Sequence, residues 1–201
     1  MVNSSASEIF ANKILDFWFG APNAADRSYQ QRRKLWFTKN PQTDQMIRDR
    51  FSSLYEQAAA GKLDDWQAEP RSCLALVLLL DQVPRNIFRD MPQAFATDEQ
   101  ALAVSRGAIA RGLDQALNPL ERLFLYLPLE HSENLAHQQQ SVDLIAELMA
   151  IDPELSDSYD YALRHRDVIQ RFGRFPHRNA ILGRPSTPTE LEFLQQPGSS
   201  F

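Results

Sequence analysis

The chain has 201 residues, 43% of them hydrophobic and 23% charged, which is the balance of an ordinary globular protein with one domain. Folding at this length buries roughly 70% of the unfolded surface, so a core forms without disulfide or metal staples. A net charge of -5 argues against non-specific nucleic-acid binding, and no apolar run approaches the ~20 residues of a membrane span.

Cys73 is the only cysteine, so no disulfide closes within the chain. Its place beside an apolar run predicts a buried structural thiol in a reducing compartment. The amino terminus, Met1-Val2-Asn3-Ser4-Ser5, lacks the positive region and apolar stretch of an export signal, which predicts a cytoplasmic protein. The charge is unevenly spread. Arg164 to Arg184 holds six arginines against one acid, Asp167, for +5, while 15 basic and 25 acidic residues elsewhere leave -10. Such a segment either folds back on its own carboxylates or meets an anion.

Ser5-Ala6-Ser7-Glu8 has capping-box spacing, and Phe10, Ile14, Phe17 and Trp18 follow at helical intervals as far as Gly20. A short helix is predicted over Tyr29–Trp36. Pro41 opens a longer one with Ile47, Phe51, Leu54, Tyr55 and Ala58 on one face and Gly61 just past its end. Pro70 starts a helix that is apolar on every side over Leu74–Leu80, so protein must surround it. This central strut is expected to stop near Val83, because Pro84 lacks an N–H and clashes with the carbonyl four residues back.

After a turn over Pro84–Pro92, Thr97-Asp98-Glu99-Gln100 reads as a capping box for a helix ending at Gly112. Asn118-Pro119 caps a helix over Leu120–Leu127, which Pro128 is expected to interrupt. Glu130-His131-Ser132-Glu133 then introduces a helix to about Ala150, and Asp157–Phe172 forms the next, with Gly173 beyond it. Thr187-Pro188-Thr189-Glu190 caps a last short helix before a tail, Pro197–Phe201, expected to be loose. No stretch alternates as a strand does. The prediction is an all-α single domain over residues 1–201, with about eight to ten helices packed around a buried helix at about 70–83.

Polar residues fall on apolar faces. Leu135, Val142, Ile145 and Met149 share a face with Gln138, and His131 lies one turn before Leu135. Ala162, Ile169 and Phe172 share theirs with His165. An unpartnered buried polar group costs about 1–3 kcal/mol, so these side chains need partners. Asp81 needs one most, since it ends a buried helix whose dipole disfavours negative charge. Pro84-Arg85-Asn86 and Pro176-His177-Arg178-Asn179 repeat one chemistry, arginine and asparagine after a proline at a helix start, where backbone N–H groups also favour an anion.

Other chemistries lack their patterns. There is no glycine-rich phosphate loop, no Gly-x-Ser-x-Gly elbow and no His-Glu-x-x-His. Glu133 and His137 could share a metal but read more simply as a surface pair, so neither metal nor cofactor is expected. Phe17, Trp18, Phe19, Trp36 and Phe37 read as core.

Asp81-Gln82-Val83-Pro84-Arg85-Asn86-Ile87-Phe88-Arg89, Ala94-Phe95-Ala96-Thr97-Asp98, Pro128-Leu129-Glu130-His131-Ser132-Glu133 and Arg171-Phe172-Gly173-Arg174-Phe175-Pro176-His177-Arg178-Asn179 together resemble the bacterial domain of unknown function 924. The likeness runs from Leu15 through Ser186-Thr187. It implies an all-helical fold similar to tetratricopeptide-like antiparallel stacks, and no reaction or catalytic residue. The chain lacks the Trp-x-x-Leu-Gly-x-x-Tyr consensus of such repeats.

The leading expectation is a binding module whose buried pocket takes a small anionic ligand or a peptide carboxylate. Arg85, Arg89, Arg174, His177 and Arg178 would hold the anion and Asn86, Gln138 and Asn179 would orient it. His131 and His165 would donate hydrogen bonds, and Asp81 with Glu130 would hold the arginines. The alternative is a hydrolase or transferase with His131 as general base, oriented by Glu130 or Asp81, and His165 nearby. A third reading is an interaction scaffold whose polar core is structural. Each expects no nucleic-acid partner.

Overall fold

The computed structural model describes residues 4–25 and 28–200, with side chains from residue 7 onward. The expected capping box at Ser5 to Glu8 therefore rests on side chains outside the described residues, as does Phe201. Every regular element among the described residues is helical. None is long and apolar enough to cross a membrane.

α1 (Ser4–Phe19) buries Ile14, Leu15 and Trp18 and stops at Gly20, whose φ of 84° suits a residue without Cβ. Phe10, expected on the buried face, is 42% exposed. α2 (Tyr29–Phe37) carries a capping box between Ser28 and Gln31. α3 (Pro41–Ala59) is capped by Asn40 and buries Ile47, Phe51, Tyr55 and Ala58.

The strut is longer than its proline predicts. α4 (Pro70–Val77) passes into a π-helical turn over Leu78–Gln82 and then α5 (Val83–Ile87), so the chain stays helical past Pro84. The wider turn lets the Val83 N–H reach the Leu78 carbonyl, five residues back. The Leu80 carbonyl, which Pro84 cannot serve, accepts instead from the Thr97 hydroxyl at 2.5 Å. Arg85 and Asn86 reach back to the carbonyls of Asp81 and Gln82 at 2.6 and 3.0 Å. The Thr97 hydroxyl thus replaces the bond that the proline removes, the Arg85 and Asn86 side chains brace the same turn, and the strut does not stop at Val83.

α1, α3, α6 (Asp98–Ala110) and α7 (Pro119–Glu130) pack around the strut, and Cys73 to Val83 is buried throughout. Cys73 is the buried thiol its neighbours predict, and burial pushes its pKa up to about 11. Thr97 does not form the expected capping box, because its hydroxyl serves Leu80. Nor does Pro128 interrupt α7. Glu121 to Glu130 is buried at every position, and that packing outweighs one missing backbone bond near the helix end.

α8 (Leu135–Ile151) starts just after the expected Glu130-His131-Ser132-Glu133 lead-in, since Asn134 caps it, accepting from the Ala136 and His137 N–H groups. Leu135 is consequently 47% exposed. α9 (Ser156–Phe172) ends at Gly173, φ 69°, and lies along α8, which lies along α7. A 3₁₀ turn over Pro176–Arg178 and α10 (Pro188–Leu194), capped by Thr187 and Glu190, complete the described chain. Beyond α10, Ser199 is buried and donates to the Leu194 carbonyl.

Candidate functional site

The end of α7 meets the π-helical turn of the strut inside the protein. Asp81, fully buried, takes three side-chain partners there. Its Oδ1 lies 2.7 Å from His131 Nδ1 and 3.2 Å from Arg85 Nη1, and its Oδ2 accepts from Gln82 Nε2 at 2.7 Å. Burial pushes the Asp81 carboxyl up, but Arg85, His131 and Gln82 together hold it well below the usual carboxylate range. Burial, assisted by the Arg85 charge, lowers the His131 pKa. An ionised Asp81 only accepts, so the His131 proton sits on Nδ1 and Nε2 carries the lone pair. Among the described residues no hydrogen bond reaches that Nε2.

Glu130, one residue earlier, does not orient His131 and pairs with no arginine. Its Oε1 lies 3.1 Å from His165 Nδ1, which also donates to the Tyr161 carbonyl at 2.8 Å. Burial, with the Asp81 charge adding to it, raises the Glu130 pKa to about 8. Burial lowers that of His165 to about 3. Both groups are neutral at pH 7. Their side chains share a wall, since the rings of His131 and His165 are 6.4 Å apart.

The arginines have different fates. Arg85 forms a fork on Asp98, at 2.9 and 3.0 Å, besides its contact with Asp81. Arg89 forms another on Asp44, at 2.9 and 2.7 Å, and lies 3.4 Å from Asn86 Oδ1. Arg178, only 7% exposed, lies against the rings of Phe95 and Phe175 and, among the described residues, makes one side-chain hydrogen bond, Nη1 to Asp98 Oδ2 at 3.3 Å. Its Nε is buried without a partner. Burial and the Arg85 charge lower its pKa to about 10.

These side chains border a cavity of about 670 Å³, within the usual range of small-molecule sites. Of the residues singled out in the sequence, Arg85, Asn86 and Arg89 line it from the strut and Glu130 and His131 from α7. His165 lines it from α9, and His177 and Arg178 from the 3₁₀ turn. Asp81 stands behind His131. Burial lowers the His177 pKa to about 4. His131, Phe95 and Arg178 also border a second cavity of about 310 Å³, so they form the wall between the two.

Three of the singled-out residues lie elsewhere. Gln138 is fully buried in α8, its Nε2 donating to the Glu130 and Ser132 carbonyls at 2.5 and 2.7 Å, so it ties α8 to the end of α7. Arg174 forks onto Glu190 at 2.6 and 2.8 Å. Asn179 donates to Ser186 and accepts from Arg184. α10 and the loop before it engage both residues, and neither borders the cavity. Glu133 and His137 share no contact. Glu133 accepts from Arg184 and from the Phe175 N–H, and His137 Nδ1 lies 2.9 Å from Ser132 Oγ. Among the described residues no three metal-ligating side chains cluster.

Sequence reasoning passed over the apolar lining. Tyr29, Trp36 and Phe37 on α2 border the cavity with Leu123 and Leu127 on α7. Aromatic residues at helical spacing read as core, and Trp36 is indeed mostly buried, so composition offered no signal for them. Phe95 and Asp98 did carry one. Both belong to a motif shared with a family of unknown function.

A family model described as bacterial protein of unknown function (DUF924) matches residues 14–198. The chain belongs to that family. It is also similar to a solved structure, the protein of unknown function ATU0120 from Agrobacterium tumefaciens, with 40% identity and a TM-score of 0.81. The match covers 94% of this chain and 98% of that one. No curated protein matches. The matched span takes in the strut, the end of α7 and the Arg178 turn.

Proposed function

We propose that this member of the family binds a small organic anion in the larger cavity, held by Arg178 beside His131. The observation that carries this reading is the incomplete pairing of Arg178. A guanidinium has five donors, and this one has a single bond to a carboxylate that Arg85 already grips with two. A buried cation short of partners is costly, and an anion in the cavity supplies the missing acceptors. Arg85 and Arg89 hold their own carboxylates and serve as the wall. Arg174 and Asn179 support α10 and do not touch the ligand.

The test is a thermal-shift series with acetate, butyrate and inorganic phosphate on wild type, Arg178→Gln and Arg174→Ala. A ligand at 100 times its dissociation constant stabilises by about 2.7 kcal/mol. The expected result is an anion-dependent shift in wild type and Arg174→Ala that Arg178→Gln loses. Equal shifts in all three proteins, or none in wild type, overturn the reading.

The Asp81–His131 pair favours a second reading, an enzyme. A buried carboxylate 2.7 Å from Nδ1 fixes the tautomer in which Nε2 accepts a proton, the arrangement a general base requires. Anion binding and base catalysis are compatible in one cavity. Turnover lost in His131→Gln with ligand affinity retained supports this reading, and turnover unchanged in that variant rejects it.

A further inference from the structure

We propose that the ligand is an aryl-alkyl monocarboxylate, with its carboxylate at Arg178 and its ring against Tyr29, Trp36 and Phe37. This rests on the anion-binding reading above and adds the chemistry of the rest of the molecule.

α7 sets the scale. Leu123 and Leu127 border the cavity one turn apart, and His131 follows one turn further. At 1.5 Å per residue, Leu123 and His131 stand about 12 Å apart along the helix. Arg85 and Arg178 belong to the His131 level, joined to it through Asp81 and Asp98. The aromatic wall belongs to the Leu123 level, because the next residue, Phe124, packs on Trp36 at 4.8 Å and stacks with Phe37 at 6.4 Å between ring centroids. One cavity therefore runs from a charged end to an aromatic end.

The aromatic end has little unmet polarity. Trp36 Nε1 donates to the Trp18 carbonyl at 3.0 Å, which leaves its ring as an apolar face. The Tyr29 hydroxyl accepts from Ser158 at 3.1 Å. The charges lining this side are paired, Arg33 with Asp157 at 2.8 Å and Lys39 with Asp90 at 3.0 Å. Phe37 is 53% exposed, a large apolar ring left open where an aromatic group would cover it.

The charged end suits one negative charge and not two. Arg178 is the incompletely paired arginine of this end, Asp98 lies beside it, and Asp81 stands behind Arg85 and His131. A phosphate dianion would meet that negative charge with one guanidinium already partly spent on Asp98, whereas a carboxylate is the planar match for an arginine fork.

The experiment is calorimetric titration at pH 7 with 4-phenylbutyrate, butyrate, 4-phenylbutan-1-ol and inorganic phosphate, on wild type, Arg178→Gln and Phe37→Ala. Phe37 is largely exposed, so its truncation leaves the fold intact, and circular dichroism of each variant checks this. The expected result is 4-phenylbutyrate binding at least about tenfold tighter than each other probe, an order that ring burial supplies over butyrate and phosphate and the charge-assisted bond to Arg178 supplies over the alcohol. Arg178→Gln then removes the preference for acid over alcohol, and Phe37→Ala the preference for 4-phenylbutyrate over butyrate. Butyrate or phosphate binding as tightly as 4-phenylbutyrate, with loss in Arg178→Gln, overturns the ligand class and keeps the anion site. No binding by any of the four probes overturns both.

Discussion

Asp81 Oδ1 and His131 Nδ1 lie 2.7 Å apart, although fifty positions separate them in the chain. Among the described residues the carboxylate is the acceptor for the His131 Nδ1 proton, and His131 is one of three side chains that keep Asp81 ionised in the core. Asp81→Asn is therefore expected to cost about 1–3 kcal/mol, because an amide there cannot accept from His131, Arg85 and Gln82 together, while Arg85 keeps its fork on Asp98. Urea unfolding of the variant measures it. A loss under about 1 kcal/mol would show that the carboxylate is not needed as a charge.

The buried neutral groups shape the response to pH. His165 and His177 have folded pKa values of about 3 and 4, below the unfolded 6.5, so the unfolded chain takes protons first and stability falls as pH drops below about 6.5. Glu130, at about 8, does the opposite. Its folded form keeps a proton that the unfolded chain releases near 4.5, so its contribution falls as pH rises from about 4.5 to 8; below about 6.5 the two histidines outweigh it, and above that its slope is what remains of the three. Each such proton changes the unfolding free energy by about 1.4 kcal/mol per pH unit. Denaturation midpoints across this range are expected to peak near pH 6.5. Glu130→Gln should flatten the alkaline side and steepen the acid side between about pH 4.5 and 6.5; an unchanged alkaline slope in that variant contradicts a protonated Glu130.

Gln138 joins two helices through one amide. Gln138→Leu removes the donor to the Glu130 and Ser132 carbonyls and is expected to cost about 1–3 kcal/mol for each carbonyl left without a partner. Because those carbonyls flank His131, the variant should also weaken any ligand that wild type binds. Paired melting and titration curves read both effects. A variant as stable as wild type would mean that water replaces the amide.

Thr97 answers for Pro84. Thr97→Val keeps the shape but leaves the Leu80 carbonyl unsatisfied in the core, for an expected loss of about 1–3 kcal/mol, while Thr97→Ser retains most of the stability. Thermal melts of the two variants test the pair. Equal losses would assign the effect to packing of the methyl group and not to the hydrogen bond.

Caps and periodicity made most of the helices legible. Asn118-Pro119, Thr187 to Glu190, Gly61 and Gly173 mark ends where the chain does begin or stop a helix, because such signals act within one turn. Pro84 and Pro128 misled for the complementary reason. Each removes one backbone bond, and distant groups, the Thr97 hydroxyl in one case and burial along α7 in the other, offset that loss. Gln138, His165 and His131 were legible as inward-facing polar residues. Their partners were not.

Arg174 and Arg178 show the limit of local reading. They lie four residues apart in one basic segment, and nothing near them in the chain distinguishes their roles. α10 brings Glu190 to the first, while the second is left over Phe95 with part of an aspartate that Arg85 already holds. The chain alone determined that its helices surround an apolar strut and that a set of polar groups enters the core, since hydrophobic spacing and capping are short-range properties. Which carboxylate neutralises which arginine, and which guanidinium stays short of a partner, only the tertiary structure decided. Charge pairing in a core depends on distances between helices, and sequence separation carries no information about those.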